Sequence, residues 1–180
     1  YCGMMLRNLG AEVIHCEMPG SGDDARAYGP YVEGQSLYFL SINRGKKSLE
    51  VNAKTPEGKK VLTDLVRNVD VFVQNFKPGA LDKMGFGYED VKKINPRCVY
   101  VAISGFGQTG PYSGRPAYDM IVQAMGGVMS ITGEPDGSPV RVGTSIGDII
   151  AGMMGAYGAL AALYEREKTG EGQLVDISML

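Results

Sequence analysis

The sequence predicts an α/β fold in which a parallel sheet is flanked by helices. Three observations carry that reading. Short runs rich in Val, Ile and Tyr at 11–17, 70–75 and 98–103 have strand character. Stretches with helical spacing and helix-start signals lie between them, as parallel strands require. Gly- and Pro-rich loops follow the strands, at the edge where open α/β sheets bind ligands.

Residues 1–9 carry a helical pattern that Gly10 ends, and residues 11–17 follow directly as a strand. The loop from Met18 to Asp24 is either a plain turn or a ligand-binding edge. His15, the only histidine, reads as a packed mid-strand residue rather than a catalyst. Residues 37–40 and 47–51 read as short strands joined through Asn43, Arg44, Gly45 and Lys46. Lys46, Lys47 and Lys54 form a local positive cluster, for which a solvated basic face is the commoner meaning and an anionic ligand site the alternative. Thr55, Pro56 and Glu57 open a helix: a cap, a proline in the first turn, and an acid that the helix dipole favours. Val61, Leu62, Leu65 and Val69 supply its buried face.

Residues 70–75 form a continuous apolar strand of the kind buried in a parallel sheet. It runs into Asn75, Phe76, Lys77, Pro78 and Gly79, and then into a short helix over 80–84. A strand edge with backbone donors, an aromatic ring, Lys77 and Lys83 suits a phosphate-bearing ligand; surface lysines would explain the charge equally well. A helix over 88–94 is broken by Asn95 and Pro96 before the strand at 98–103. Residues 105–110 satisfy G-x-G-x-x-G, but Pro111, Gly114 and Pro116 follow, so no helix starts on the last glycine. A dinucleotide fingerprint must open a helix, and an NAD site is therefore excluded. Tyr118 and Asp119 begin a helix over 120–129.

The longest helix lies within residues 139–173 and runs to about Lys168, with Thr144 or Ser145 as N-cap and Gly170 as its stop. Ile149, Met153, Ala156, Leu160 and Leu163 define one apolar stripe. Gly152, Gly155 and Gly158 each weaken a helix by about 1 kcal/mol relative to Ala, which implies a close neighbour. Asp148 sits at the helix mouth and has two readings. With Ser145 it completes a capping box; alternatively, a carboxylate kept ionised by the dipole beside free backbone N–H groups is a nucleophile.

A length of 180 residues with 44% hydrophobic content suits one domain with a substantial core, and a net charge of −2 argues against a nucleic-acid partner. Cys2, Cys16 and Cys98 lie far apart without a C-x-x-C pair, so no zinc site or disulfide framework is expected and a cytoplasmic setting is the default. The apolar run over 149–164 is shorter than a membrane span of about 20 residues and reads as a core helix. The helical pattern at Tyr1 and the strand pattern at Leu180 suggest a fragment truncated at both ends.

The motifs AEVIHCE with PGSGD, NRGKKSLEVNAKTPEGKK, DVFVQNFKPGALDKMGFGYEDV, NPRCVYVAISGFGQTGP, AYDMIVQAMGGVMSITG and GDIIAG with REKTGEGQLVDISML occur in that order. In this combination the chain resembles the family III CoA-transferases, a group that includes formyl-CoA and carnitine CoA-transferases and, as a side branch, α-methylacyl-CoA racemase. The resemblance covers nearly all of residues 1–180. It implies a Rossmann-like open sheet, acyl-CoA and a small carboxylic acid as substrates, no tightly bound cofactor, no metal, and an interlocked homodimer in the full-length protein. It places the catalytic aspartate at Asp148, which would attack the thioester, form an aspartyl anhydride and then an aspartyl-CoA thioester. The CoA-contacting segments fall on Val51, Asn52, Ala53 and Lys54, on Asn75, Phe76 and Lys77, on Lys83, and on Tyr118 and Asp119. Met18 and Pro19 stand where some members stack an arginine on the adenine, and Lys83 stands where some carry arginine. The family's glutamine-bearing N-terminal turn and the later glycine loop over the aspartate are not in this sequence, so the fragment alone is expected to be inactive. The racemase branch uses a histidine where this chain has Tyr118. Bringing a phenol from a pKa near 10 to about 7 takes roughly 4 kcal/mol, which favours transfer over racemisation. A domain that binds CoA without turnover is the non-enzymatic alternative.

Overall fold

The computed structural model describes residues 1–180, which divide into two compact units: residues 3–69 with Tyr1, and residues 70–180 with Cys2.

In the first unit, α1 (Cys2–Asn8) leads through Gly10, at φ +100°, to β1 (Ile14–Glu17). A small antiparallel ladder of β2 (Tyr31–Val32) and β3 (Gln35–Ser36) precedes α2 (Leu37–Asn43). The strand expected at residues 37–40 is thus a helix. Its aromatic and aliphatic residues favour strands, but Ser36 accepts a hydrogen bond from the Phe39 N–H at 3.0 Å and caps a helix there. β4 (Lys47–Glu50) pairs parallel with β1, Ile14 opposite Lys47 and Glu17 opposite Glu50. α3 (Pro56–Val66) begins as its sequence dictates, with Thr55 accepting from the Gly58 N–H at 3.1 Å and proline in the first turn.

The second unit is built on a parallel sheet in the order β5 (Val71–Gln74), β6 (Val99–Ser104), β7 (Leu174–Ser178). The parallel strands are therefore shared between a two-stranded and a three-stranded sheet. β6 is central and buried along its whole length, which accounts for its unbroken apolar run. Alternation sends Phe72 and Tyr100 to one face, where their rings stack at 5.1 Å, covered by α4 (Tyr88–Ile94). The opposite face, with Val101, Ile103 and Val175, receives the longest helix. The expected 80–84 helix shrinks to a 3₁₀ turn at Asp82–Met84. The expected 120–129 helix divides into α5 (Asp119–Met125) and a 3₁₀ turn at Val128–Ile131, because Gly127 takes φ +78°.

The last helix, α6 (Ile146–Thr169), ends at Gly170 in the left-handed region, as expected. Its buried face differs from the expected stripe. Ala156 of that stripe is buried, but it is joined by Ala151, Gly155, Ala159 and Ala162, while Met153 and Leu160 are exposed. The reason is close approach: a Cβ on Gly155 would lie 2.9 Å from Ile103 Cδ1, and one on Gly158 would lie 2.6 Å from Val175 Cγ1. Only small residues let the helix backbone sit this near the sheet, so the large side chains turn outward. By length and composition alone α6 could cross a membrane; here its small-residue face lies on β6 and β7.

Candidate active site

The direction of α6 places Asp148. Near the helix's end, Arg166 donates to Asp70 Oδ1 at 2.8 Å and to the Arg97 carbonyl at 3.1 Å, both just before the amino ends of β5 and β6. The other end of the helix therefore opens at the carboxyl edge of the sheet. Asp148 stands in its first turn, exposed. Partial desolvation by the chain around it first, and the neighbouring Asp119 carboxylate second, push its pKa above the usual carboxylate value. The helix dipole acts in the opposite direction. The capping box does not form, since Ser145 makes no side-chain cap bond.

The same edge carries other candidates of this unit. The Asn75 side chain donates to the Ile103 carbonyl at 2.8 Å, and Gln74 accepts from the Phe76 N–H at 2.7 Å. These bonds set the turn after β5, which leaves the Phe76 ring 56% exposed. Lys77 is exposed and lines a cavity of about 300 Å³ with Gln74, Tyr88, Tyr100 and Gln108. Several of those residues belong to the Phe72/Tyr100 face, so this cavity and α6 lie on opposite faces of the sheet. Lys83 is exposed in the following 3₁₀ turn. Tyr118 stands at the start of α5 with 79% of its surface exposed. Ala117, the residue before it, lies against Gly105, just past the end of β6, which puts Tyr118 at the carboxyl edge too.

Asp119 behaves differently. It is buried, and its oxygens accept from the Gly147 N–H at 2.8 Å and from Gln123 Nε2 at 2.7 Å. Gln123, absent from the sequence reading, is 1% exposed and accepts from the Val142 N–H at 2.8 Å. Its spacing of four from Asp119 on one helix face was the available signal.

In the first unit, Val51, Asn52, Ala53 and Lys54 form the turn after the carboxyl end of β4. Asn52 Oδ1 accepts from the Lys54 N–H at 3.0 Å, and the Val51 N–H donates to the Glu17 carbonyl at 2.9 Å. Lys47 pairs with Glu12 at 2.8 Å and Lys46 donates to Asn43 at 2.7 Å, while Lys54 is exposed on the turn itself. Beneath this turn lies a cluster that sequence reading did not find. Buried Glu17 accepts from Arg26 through both oxygens (2.7 and 2.8 Å), from Ser48 (2.7 Å) and from the Asp23 N–H (2.9 Å). Arg26 in turn lies 3.8 Å from the Phe39 ring centre. These donors, Arg26 first, hold the Glu17 carboxyl down at about 2. His15 Nε2 lies 3.0 Å from Asp23 Oδ2, so the lone imidazole is part of the same packed loop.

The profile of CoA-transferase family III matches residues 1–180. The chain belongs to that family. Among curated family III relatives, the acetyl-CoA:oxalate CoA-transferase of Acetobacter aceti is 52% identical over 97% of this chain and 45% of its own length. The succinyl-CoA:glutarate CoA-transferase of Mus musculus is 50% identical over 100% of this chain and 42% of its own. A CAIB/BAIF family protein from Brucella suis has a crystal structure that superposes with a TM-score of 0.95 at 44% identity, over 99% of this chain and 48% of that one. The chain therefore spans about half the length of the relatives it matches.

Proposed function

We propose that the chain forms the nucleophile-bearing part of a CoA-transferase that moves CoA from an acyl-CoA donor to a small carboxylic acid. It would act as the large, Rossmann-like domain within a cytoplasmic polypeptide of the relatives' length, as an interlocked homodimer. The observation that carries this reading is the exposed Asp148 carboxylate, at a helix mouth on the same sheet edge as Phe76, Lys77 and Tyr118.

In this mechanism an Asp148 oxygen attacks the thioester carbonyl, the C–S bond breaks, and CoA leaves as thiolate. The thiolate attacks the Asp148 carboxyl carbon of the mixed anhydride, releasing the donor acid and leaving an aspartyl-CoA thioester. The acceptor carboxylate attacks that carbon and expels CoA thiolate, which takes the acceptor acyl group and frees Asp148. No net proton is moved, so a site without an imidazole suffices. Backbone N–H groups at the mouth of α6 favour the oxyanions formed on the way. Lys77, Lys83 and Lys54 supply charge for the CoA phosphates, with Val51, Asn52, Ala53, Asn75, Phe76 and Tyr118 as further contacts. Oxalate and glutarate, which appear in the relatives' names, are the first acceptors to test.

The test is to incubate the full-length protein with acyl-CoA, trap with hydroxylamine and map the peptides. Modification of Asp148 is expected, and an unmodified Asp148 in active enzyme refutes the mechanism. Solvent deuterium entering the α-carbon without an acceptor acid would instead indicate racemisation. CoA affinity without turnover, unaffected by Asp148→Ala, would indicate a binding domain.

A further inference from the structure

We propose that Asp119 and Gln123 on α5 are positioning residues that cap α6 from outside it and so hold Asp148 in place to attack; this rests on the reading of Asp148 as nucleophile. A helix begins with four backbone N–H groups that have no partner within it. In α6 the local cap residue, Ser145, supplies no bond. Asp119 Oδ1 instead takes the N–H of Gly147, the residue immediately before Asp148, at 2.8 Å. Asp119 Oδ2 takes Gln123 Nε2 at 2.7 Å, Gln123 Oε1 takes the Val142 N–H at 2.8 Å, and Gln123 Nε2 also approaches the Thr144 carbonyl at 3.4 Å. The strand of chain entering α6 is therefore tied at residues 142, 144 and 147 to one buried pair.

The pair has no other visible use. Asp119 is 6% exposed and Gln123 1%, and both Asp119 oxygens are occupied, so neither side chain is offered to a ligand. The neighbouring Tyr118, by contrast, is open to solvent. Asp119 also supplies the negative charge that helps raise the Asp148 pKa. A carboxylate that fixes the backbone N–H next to the nucleophile controls where that nucleophile points. Misplacement of a reacting group by about 1 Å can cost about 100-fold in rate.

The experiment compares wild type, Asp119→Ala, Asp119→Asn and the double variant Asp119→Asn with Gln123→Glu in the full-length protein. The double variant exchanges the amide and the carboxylate between the two positions. The amide then at position 119 can still accept from the Gly147 N–H through its carbonyl and donate through its NH₂ to the carboxylate at position 123, whose second oxygen can accept from the Val142 N–H; only the long 3.4 Å contact to the Thr144 carbonyl is lost. The readouts are CoA affinity, the rate of hydroxylamine-trapped labelling at Asp148, and amide exchange at Val142 and Gly147. Both single variants are expected to label about 10–100-fold more slowly, to bind CoA within about twofold of wild type, and to exchange those amides faster. The double variant is expected to recover labelling to within about threefold. Labelling and exchange unchanged in Asp119→Ala overturn the inference, as does a loss of CoA affinity in step with rate that the double variant fails to rescue. Absence of label at Asp148 in active wild type overturns the nucleophile reading itself. A labelled wild type matched by an equally labelled Asp119→Ala overturns only the positioning role.

Discussion

Replacing Glu17 with glutamine should destabilise the protein in a strongly pH-dependent way. Each Glu17 oxygen faces two donors: Oε2 meets Arg26 Nε and the Asp23 N–H, and Oε1 meets Arg26 Nη2 and the Ser48 hydroxyl. Turned one way, the glutamine NH₂ opposes Arg26 Nε and the Asp23 N–H; turned the other way, the Ser48 hydroxyl can rotate to accept from it but Arg26 Nη2 still opposes it, in a side chain that is 2% exposed. Breaking one side of a buried ion pair costs about 3–5 kcal/mol. Arg26 is 45% exposed, so its charge can be partly resolvated, and the expected loss at pH 7 falls to about 2–4 kcal/mol. With a urea slope near the middle of the usual range, about 2 kcal/mol/M, the midpoint drops by roughly 1–2 M. The native carboxyl is held near 2, below its ordinary value of 4.5, so its stabilisation is complete above pH 4.5 and fades as pH falls toward 2. Urea titrations of both proteins by circular dichroism from pH 7 to pH 2 should therefore converge at the acid end. A gap that persists unchanged at pH 2, or a loss below about 1 kcal/mol at pH 7, would refute the reasoning.

Asp148→Ala should lower turnover by about 1,000-fold or more with little change in CoA affinity, measured as kcat against KM. Because partial desolvation and Asp119 raise the Asp148 pKa, and the anion is the attacking form, the labelling rate should climb with pH through a midpoint above the ordinary carboxylate value of 3.8; a midpoint below it counts against this site geometry. Lys77→Ala should raise the KM for acyl-CoA by about 3–10-fold at low salt, an effect that shrinks as ionic strength rises. Gly58→Ala would press a methyl into the Asn52 carbonyl oxygen, so it should cost stability in a melt and, by shifting the turn at 51–54, raise the KM as well.

Where local chemistry decides an element, the sequence was enough. Thr55 and Pro56 start a helix whatever surrounds them, residues 88–94 are helical to the residue, and Gly170 ends α6. Residues 37–40 were misread because strand propensity was weighed without the Ser36 cap that overrides it. The buried face of α6 was misjudged because a pattern of large apolar residues looks like a core stripe, while the sheet selects the small ones. The placement of Asp148 in the first turn of a long helix, of Phe76 and Lys77 after the end of a strand and of Tyr118 at a helix start was legible in the sequence. The bonds of Asp119 and Gln123 to residues 142–147 were not, because the partners lie about 20–30 residues apart along the chain and meet only once α5 and α6 have packed. The Glu17 cluster was hidden for the same reason, with Ser48 reaching it from a second strand.

Parallel strands and an antiparallel helix give the 70–180 unit two rims with different duties. At one rim Arg166 fastens Asp70 and the Arg97 carbonyl, and the Gly172 N–H donates to the Pro96 carbonyl at 2.8 Å. At the other rim stand Phe76, Lys77, Tyr118 and Asp148, all exposed. Substitutions at the anchoring rim should shorten the protein's lifetime, while loops at the opposite rim can vary on an unchanged frame, which on the proposed reading is where substrate preference would be tuned.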